Sequence, residues 1–227
     1  MVILAFDTSS SSLSVALLDD DRLLAESFLD AGRQHGVTLL PAINDILCRS
    51  GRSIGDVGLL ACTTGPGSFT GLRVGVSTAR GLARALGTPL VGVSSLAALS
   101  MNGSAAAMTV CPMLDAGRDE VYTALYRPVP GDMPLVVEQE KVIRADLFLD
   151  TLEAAHDPVL FIGNGTLVHA GGIRARLGGR AYFAEPSGNR INARAVGRIA
   201  LKNMHTDDNV VSLNVLPRYL RRSYAGM

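Results

Sequence analysis

Acids, hydroxyls and glycines are the groupings in this 227-residue chain that could carry chemistry. Asp7-Thr8-Ser9 follows the apolar run Val2-Ile3-Leu4-Ala5-Phe6. An acid with two hydroxyls at a strand end could bind a nucleotide phosphate through Mg²⁺. The same three residues are also ordinary turn chemistry, in which short polar side chains cap the backbone. Asp115 ends a second apolar run, Thr109 to Leu114, without a supporting acid–base set, and this favours the turn. Gly65-Pro66-Gly67-Ser68-Phe69-Thr70-Gly71-Leu72-Arg73-Val74-Gly75 is a glycine-rich turn entering a helix, where free N–H groups could receive an anion. No Lys follows its last glycine, its spacing is not GxGxxG, and Pro66 excludes a GxSxG elbow at Ser68. His35 stands without an identified nucleophile and reads as a structural residue at a helix entry. His156, His169 and His205 are far apart, and Cys48, Cys62 and Cys111 have no paired spacing. Neither HExxH nor CxxC occurs, so the expectation is reduced thiols and no metal ligand signalled by spacing, with a metal site assembled from distant residues still open.

The surrounding composition is globular. Hydrophobic residues make up 48%, and 21 basic residues balance 21 acidic ones. A net charge of zero argues against a chain that holds nucleic acid alone by counterion release. No apolar run reaches the ~18–20 residues of a membrane span. Met1 to Asp7 lacks a basic leader and reads as a strand, so a cytoplasmic protein is expected.

The elements that must position these residues fall into two consecutive sets. Residues 2–6, 13–18 and 23–29 read as strands, and a helix at 37–49 ends at Ser50-Gly51. A buried strand at 59–62 leads into a helix that Ser68 caps and Gly87 closes, followed by a strand at 90–93. The order recurs with strands at 109–114, 120–127 and 135–137, a helix from Asp146, and a strand at 159–162. Helices at 166–177 and 192–203 flank a strand near Ala181-Tyr182-Phe183. This is a duplicated α/β pattern of βββαβα lobes, the arrangement of the actin-like (ASKHA, ribonuclease H-like) fold, with the second lobe reduced. The expected lobes are 1–103 and 104–227, with the C-terminal segment packing back on the first. In that fold, paired strand-turn-strand loops face a nucleotide across a cleft. Two unrelated α/β lobes would also fit the pattern.

Two helices carry more apolar surface than one sheet needs. Gly71, Gly75, Ala79 and Ala83 form a smooth stripe, and Leu72 and Val76 lie beside it. The apolar arc covers roughly two-thirds of the circumference, against the ~100° that faces one core. On the preceding helix Val37, Leu39, Leu40, Ile43, Ile46 and Leu47 cover about half the surface, and Leu39, Leu40, Ile43 and Leu47 are the expected contacts. One reading is a helical interface with a partner, which Gly75→Leu or Ala79→Arg would break while leaving the monomer folded. The other is coverage within the monomer. Arg73, Arg80 and Arg84 form a polar ridge that could meet RNA phosphates, partner carboxylates or only water. The basic and aromatic tail Arg218-Tyr219-Leu220-Arg221-Arg222-Ser223-Tyr224 suits single-stranded RNA or docking on a protein surface.

Ordered motifs along the whole chain resemble the bacterial TsaB (YeaZ) family. They are Leu4-Ala5-Phe6-Asp7-Thr8-Ser9, Gln34-His35 before Leu39-Leu40-Pro41, and the run Gly65 to Arg73. Pro112-Met113-Leu114-Asp115-Ala116-Gly117-Arg118, Glu120-Val121-Tyr122 and Pro217-Arg218-Tyr219-Leu220-Arg221 complete the set. Gly117 departs from the family, which commonly has a larger residue there. The resemblance implies a non-catalytic relative of TsaD, the subunit that transfers the threonylcarbamoyl group to adenosine in tRNA. TsaD carries a metal-binding His-x-Glu-x-His, to which Ser95, Ala97 and Leu99 correspond here; Leu99 offers no lone pair and Ala97 no acid. The resemblance further implies pairing of the first-lobe helices with TsaD, TsaE as a further partner, and tRNA reached through the complex. It leaves ATP and metal to the partner subunits, with a homodimer when the chain is alone. The alternatives from residue chemistry are an ATP-binding actin-like kinase, a metallopeptidase-like hydrolase acting alone, or a structural homodimer.

Overall fold

The computed structural model of the chain describes residues 1–32, 34–206 and 214–221. It divides into two compact units, Met1–Ala98 with Ile191–Arg218, and Leu99–Arg190 with residues 219–221 of the tail. The expected division at 103/104 therefore falls at 98/99, and the chain returns to the first unit at Ile191.

In the first unit β1 (Val2–Asp7), β2 (Ser12–Asp19) and β3 (Arg22–Asp30) form an antiparallel set, followed by helix α1 (His35–Arg49). Strand β4 (Val57–Gly65), helix α2 (Phe69–Leu86), strand β5 (Leu90–Ser94) and helix α3 (Ser95–Ser100) come next. The sheet order is β3-β2-β1-β4-β5, with β1 parallel to β4 and β4 parallel to β5. Side chains alternate across the sheet. Leu4 and Phe6 join one core with Leu39, Ile43 and Ile46 of α1 and Val76, Ala79 and Ala83 of α2.

The opposite face is covered by α6 (Ala193–Thr206), read from the sequence as part of the second half. At Gly197 an added Cβ would lie 2.7 Å from Leu18 and 3.3 Å from Ala5. The Ala193 N–H donates to Ser14 Oγ at 2.9 Å, and Arg198 pairs with Asp21. A sheet buried on both faces needs continuous apolar strands, which explains why Ile3 through Phe6 are all inaccessible.

The second unit runs β6 (Thr109–Gly117), β7 (Glu120–Arg127), β8 (Leu135–Arg144), α4 (Ala145–Ala155), β9 (Val159–Ile162), α5 (Asn164–Leu177) and β10 (Ala181–Phe183). Its sheet order, β10-β9-β6-β7-β8, matches that of the first unit strand for strand. Strands β9 and β10 have four and three residues where β4 and β5 have nine and five, so the second copy is the reduced one. Cys111, Met113, Phe148, Phe161 and Ile173 fill its core.

Candidate functional site

The Asp7-Thr8-Ser9 turn is buried, and most of its polar atoms are bonded within the first unit. Asp7 Oδ1 accepts from Ser9 Oγ and Thr63 Oγ1, both at 2.6 Å, and from the Ser9 N–H at 3.1 Å. Thr8 Oγ1 donates to Gly71 O at 2.8 Å, and the Ser68 N–H donates to Ser9 O at 2.7 Å. The start of α2 is thereby seated on the turn. A Cβ at Gly71 would stand 2.0 Å from Thr8 O, and one at Gly75 would stand 2.2 Å from Thr8 Oγ1. The glycine-rich run thus serves close packing of backbone on backbone. Asp7, Thr8 and Ser9, expected as a nucleotide site, are placed as a closed turn with only Asp7 Oδ2 unpartnered.

Burial raises the Asp7 carboxyl pKa, and the Ser9 and Thr63 hydroxyls offset part of the rise. The folded chain therefore holds this proton more tightly than the unfolded chain. Stability from the neutral acid is complete below the ordinary carboxylate pKa and is lost as pH rises through the raised value. Asp7→Asn should remove that loss, gaining on the wild type as pH climbs above the ordinary carboxylate range. Urea midpoints across that climb test this, and parallel profiles for the two proteins would contradict it.

The second turn differs. Asp115 is exposed, its Oδ1 accepts from the Gly117 N–H at 2.8 Å, and its own N–H donates to Asn164 Oδ1 at 3.1 Å. Arg118 and Asp119, with φ of 59° and 58°, close the two-residue hairpin between β6 and β7. His35 opens α1, buried, with Nε2 2.8 Å from Ser10 O, and so ties the helix to the first turn. Cys62 and Cys111 are buried in the two cores, and burial pushes each thiol up to about 12. Among the described residues no three His, Cys, Asp or Glu side chains are grouped as a metal site requires. Ser95 and Leu99 are buried at the two ends of a short helical turn, with Ala97 between them.

The interface expectation is corrected by burial. Leu39, Ile43, Leu47, Gly71, Leu72, Gly75, Val76, Ala79 and Ala83 are all buried within the lone chain, and only Leu40 of the ten is exposed. Gly75→Leu and Ala79→Arg would therefore damage the monomer itself. The stripe is smooth because α2 lies close to the Thr8 turn and to the sheet. What remains on the outside of the neighbouring helices α1 and α2 is a different arc: Val37 at 71% exposure, Leu40 at 53% and Phe69 at 48%. Arg73 stacks over Phe69, 3.8 Å from the ring centroid. Phe69 is not among the ten expected contacts, because periodicity does not divide a wide apolar arc into faces. The arc is two faces, an inner one for the core and an outer one for water or a partner.

In the tail, the Arg218 N–H donates to Thr64 O at 2.7 Å, which places it on β4 of the first unit. Arg221 pairs with Glu120 in the second unit. Arg222, Ser223 and Tyr224 lie outside the described residues.

Two sheets of identical order, each opened by a strand-turn-strand, define the class as a duplicated actin-like α/β protein. A hexokinase of the ROK type from Thermus thermophilus shares the fold alone, with a TM-score of 0.53 at 10% identity over 91% of this chain and 100% of that one. A family model described as "TsaD: tRNA N6-adenosine threonylcarbamoyltransferase" matches residues 29–173. The tRNA threonylcarbamoyladenosine biosynthesis protein TsaB of Bacillus subtilis is 37% identical over 183 residues, 81% of this chain and 80% of the relative. Its Escherichia coli namesake is 35% identical over 73% of this chain and 72% of the relative. The solved structure of YeaZ from Pseudomonas aeruginosa covers 96% of this chain and 99% of its own, with a TM-score of 0.78 at 27% identity. The chain belongs to the TsaB (YeaZ) family. No helix among the described residues is long and apolar enough to cross a membrane.

Proposed function

We propose that the chain is a non-catalytic subunit of the cytoplasmic machinery that makes N6-threonylcarbamoyladenosine in tRNA, acting by pairing with TsaD. Its relatives named TsaB, and the TsaD-type family model, support the pathway. The observation that carries the non-catalytic part is residue chemistry. Ser95, Ala97 and Leu99 stand where the resemblance to TsaD would set His-x-Glu-x-His, and these three side chains supply neither two imidazoles nor an acid.

The pairing surface is the outer arc of α1 and α2, with Val37, Leu40 and Phe69 as its apolar anchors. Large exposed side chains grouped on two adjacent helices suit the apolar centre of a protein interface. Binding there favours the competent arrangement of TsaD by differential affinity for it, with TsaE joining the pair and tRNA reached through the complex. ATP and metal belong to the partner subunits.

The test is threonylcarbamoyl transfer to tRNA by purified TsaD and TsaE, with and without this chain. The rate should rise when the chain is added, and the chain alone should transfer nothing. An unchanged rate contradicts the proposal.

A further inference from the structure

The second unit holds a cavity of about 470 Å³ at the end of its sheet away from the Asp115 turn. Thr109 opens β6, and the sheet order sets β7 on one side of that strand and β9 on the other. Val110 pairs with Tyr126, so Arg127, the last residue of β7, comes level with the start of β6. Thr109 pairs with Val159, and Asp157, two residues ahead of Val159, approaches from the other side. The backbones of Arg127 and Asp157 are thus two strand spacings apart, ~10 Å. Both side chains line the cavity and are exposed, and neither has an ion pair or side-chain hydrogen bond among the described residues. Met108, Pro128, Pro130 and Pro158 supply apolar wall. Proline rings fix φ, so this wall keeps its shape without an occupant and costs little to order.

A guanidinium and a carboxylate on one cavity neutralise each other when they meet within ~4 Å. Here the strand between them keeps them apart, and each still lacks an opposite charge. A ligand that satisfies both carries a carboxylate for Arg127 and an ammonium for Asp157, each through a charge-assisted hydrogen bond of ~2.8 Å. A phosphate compound sets negative charge against Asp157, a simple cation meets Arg127, and the end of a peptide carries only one of the two charges. A few convergent polar groups on a mostly apolar wall, with a volume between ~300 and ~1,000 Å³, are the usual features of a small-molecule site. We propose that this cavity binds a free amino acid with an apolar side chain, its carboxylate on Arg127, its ammonium on Asp157 and its side chain against the prolines. The site lies wholly in the second unit and draws nothing from the α1–α2 surface, so it is independent of the pairing with TsaD.

The test is an NMR titration of the isotope-labelled chain with L-leucine. Binding should saturate with a dissociation constant on the order of 1 mM, as suits so small a ligand. The amide signals of Ala107, Met108 and Arg127 should move with it. N-acetyl-leucine lacks the ammonium and leucinamide lacks the carboxylate, and each should bind about tenfold more weakly than leucine. Arg127→Gln should erase the preference for leucine over leucinamide, and Asp157→Asn the preference for leucine over N-acetyl-leucine. Both residues are exposed and unpartnered, so neither substitution should disturb the fold, and a change of discrimination is not something lost stability produces. No saturable shift with leucine up to ~50 mM overturns the proposal, as do shifts confined to other parts of the chain. N-acetyl-leucine bound as tightly as leucine would make the cavity a seat for a peptide C-terminus. Leucinamide bound as tightly would make it one for an N-terminus. Either result overturns the zwitterion.

Discussion

Gly71→Ala should destabilise the chain by about 3 kcal/mol, although it adds a single methyl group. The new Cβ would stand 2.0 Å from Thr8 O and 3.2 Å from Thr8 C, and neither backbone atom can rotate away. The start of α2 must lift from the turn, lengthening the Thr8 Oγ1–Gly71 O and Ser68 N–Ser9 O hydrogen bonds. Helix propensity pulls the other way by only about 1 kcal/mol, so the clash decides. Gly81→Ala on the same helix provides the control. Its Cβ meets open space, and the variant should gain up to about 1 kcal/mol. Urea denaturation of the two variants beside wild type measures both effects. Equal shifts would show that the turn and helix are not seated on one another as described.

Leu40→Asp combined with Phe69→Asp should weaken the proposed complex with TsaD by about a hundredfold while leaving the monomer folded. Each side chain is about half exposed in the lone chain, so its loss from the surface costs the monomer little. In the complex each would be a desolvated anchor, and a buried carboxylate there would stand without a partner. Circular dichroism establishes that the variant folds, and light scattering of the mixture with TsaD reports the complex. A folded variant that still forms the complex at wild-type affinity would remove the α1–α2 surface from the account.

The alternation of apolar runs and turn residues locates nearly every element, because strands buried on both faces leave long unbroken apolar segments such as Val2 to Phe6. The shape of the site is harder to read, for three physical reasons. Periodicity shows that Gly71, Gly75, Ala79 and Ala83 form a smooth face, but not what the face meets. Its neighbour Thr8 precedes Gly71 by 63 residues and becomes visible only in the fold. Helix α6 has a local pattern that suits either sheet, and tertiary contacts such as Ser14 with Ala193 place it on the first. Asp7 and Asp115 look equivalent as strand-end acids, yet one is enclosed by Ser9 and Thr63 while the other is open to water. The sequence predicts strand β8 only over residues 135–137, because Glu138 to Lys141 are polar; pairing with β7 carries it to Arg144.

The outcome that bears most directly on the account is the rate at which TsaD and TsaE modify tRNA with a stoichiometric amount of this chain, either wild type or Leu40→Asp/Phe69→Asp. The account predicts that the wild-type chain raises the rate and that the folded double variant leaves it at the level seen with no chain. Equal rates with wild type, double variant and no addition would contradict it.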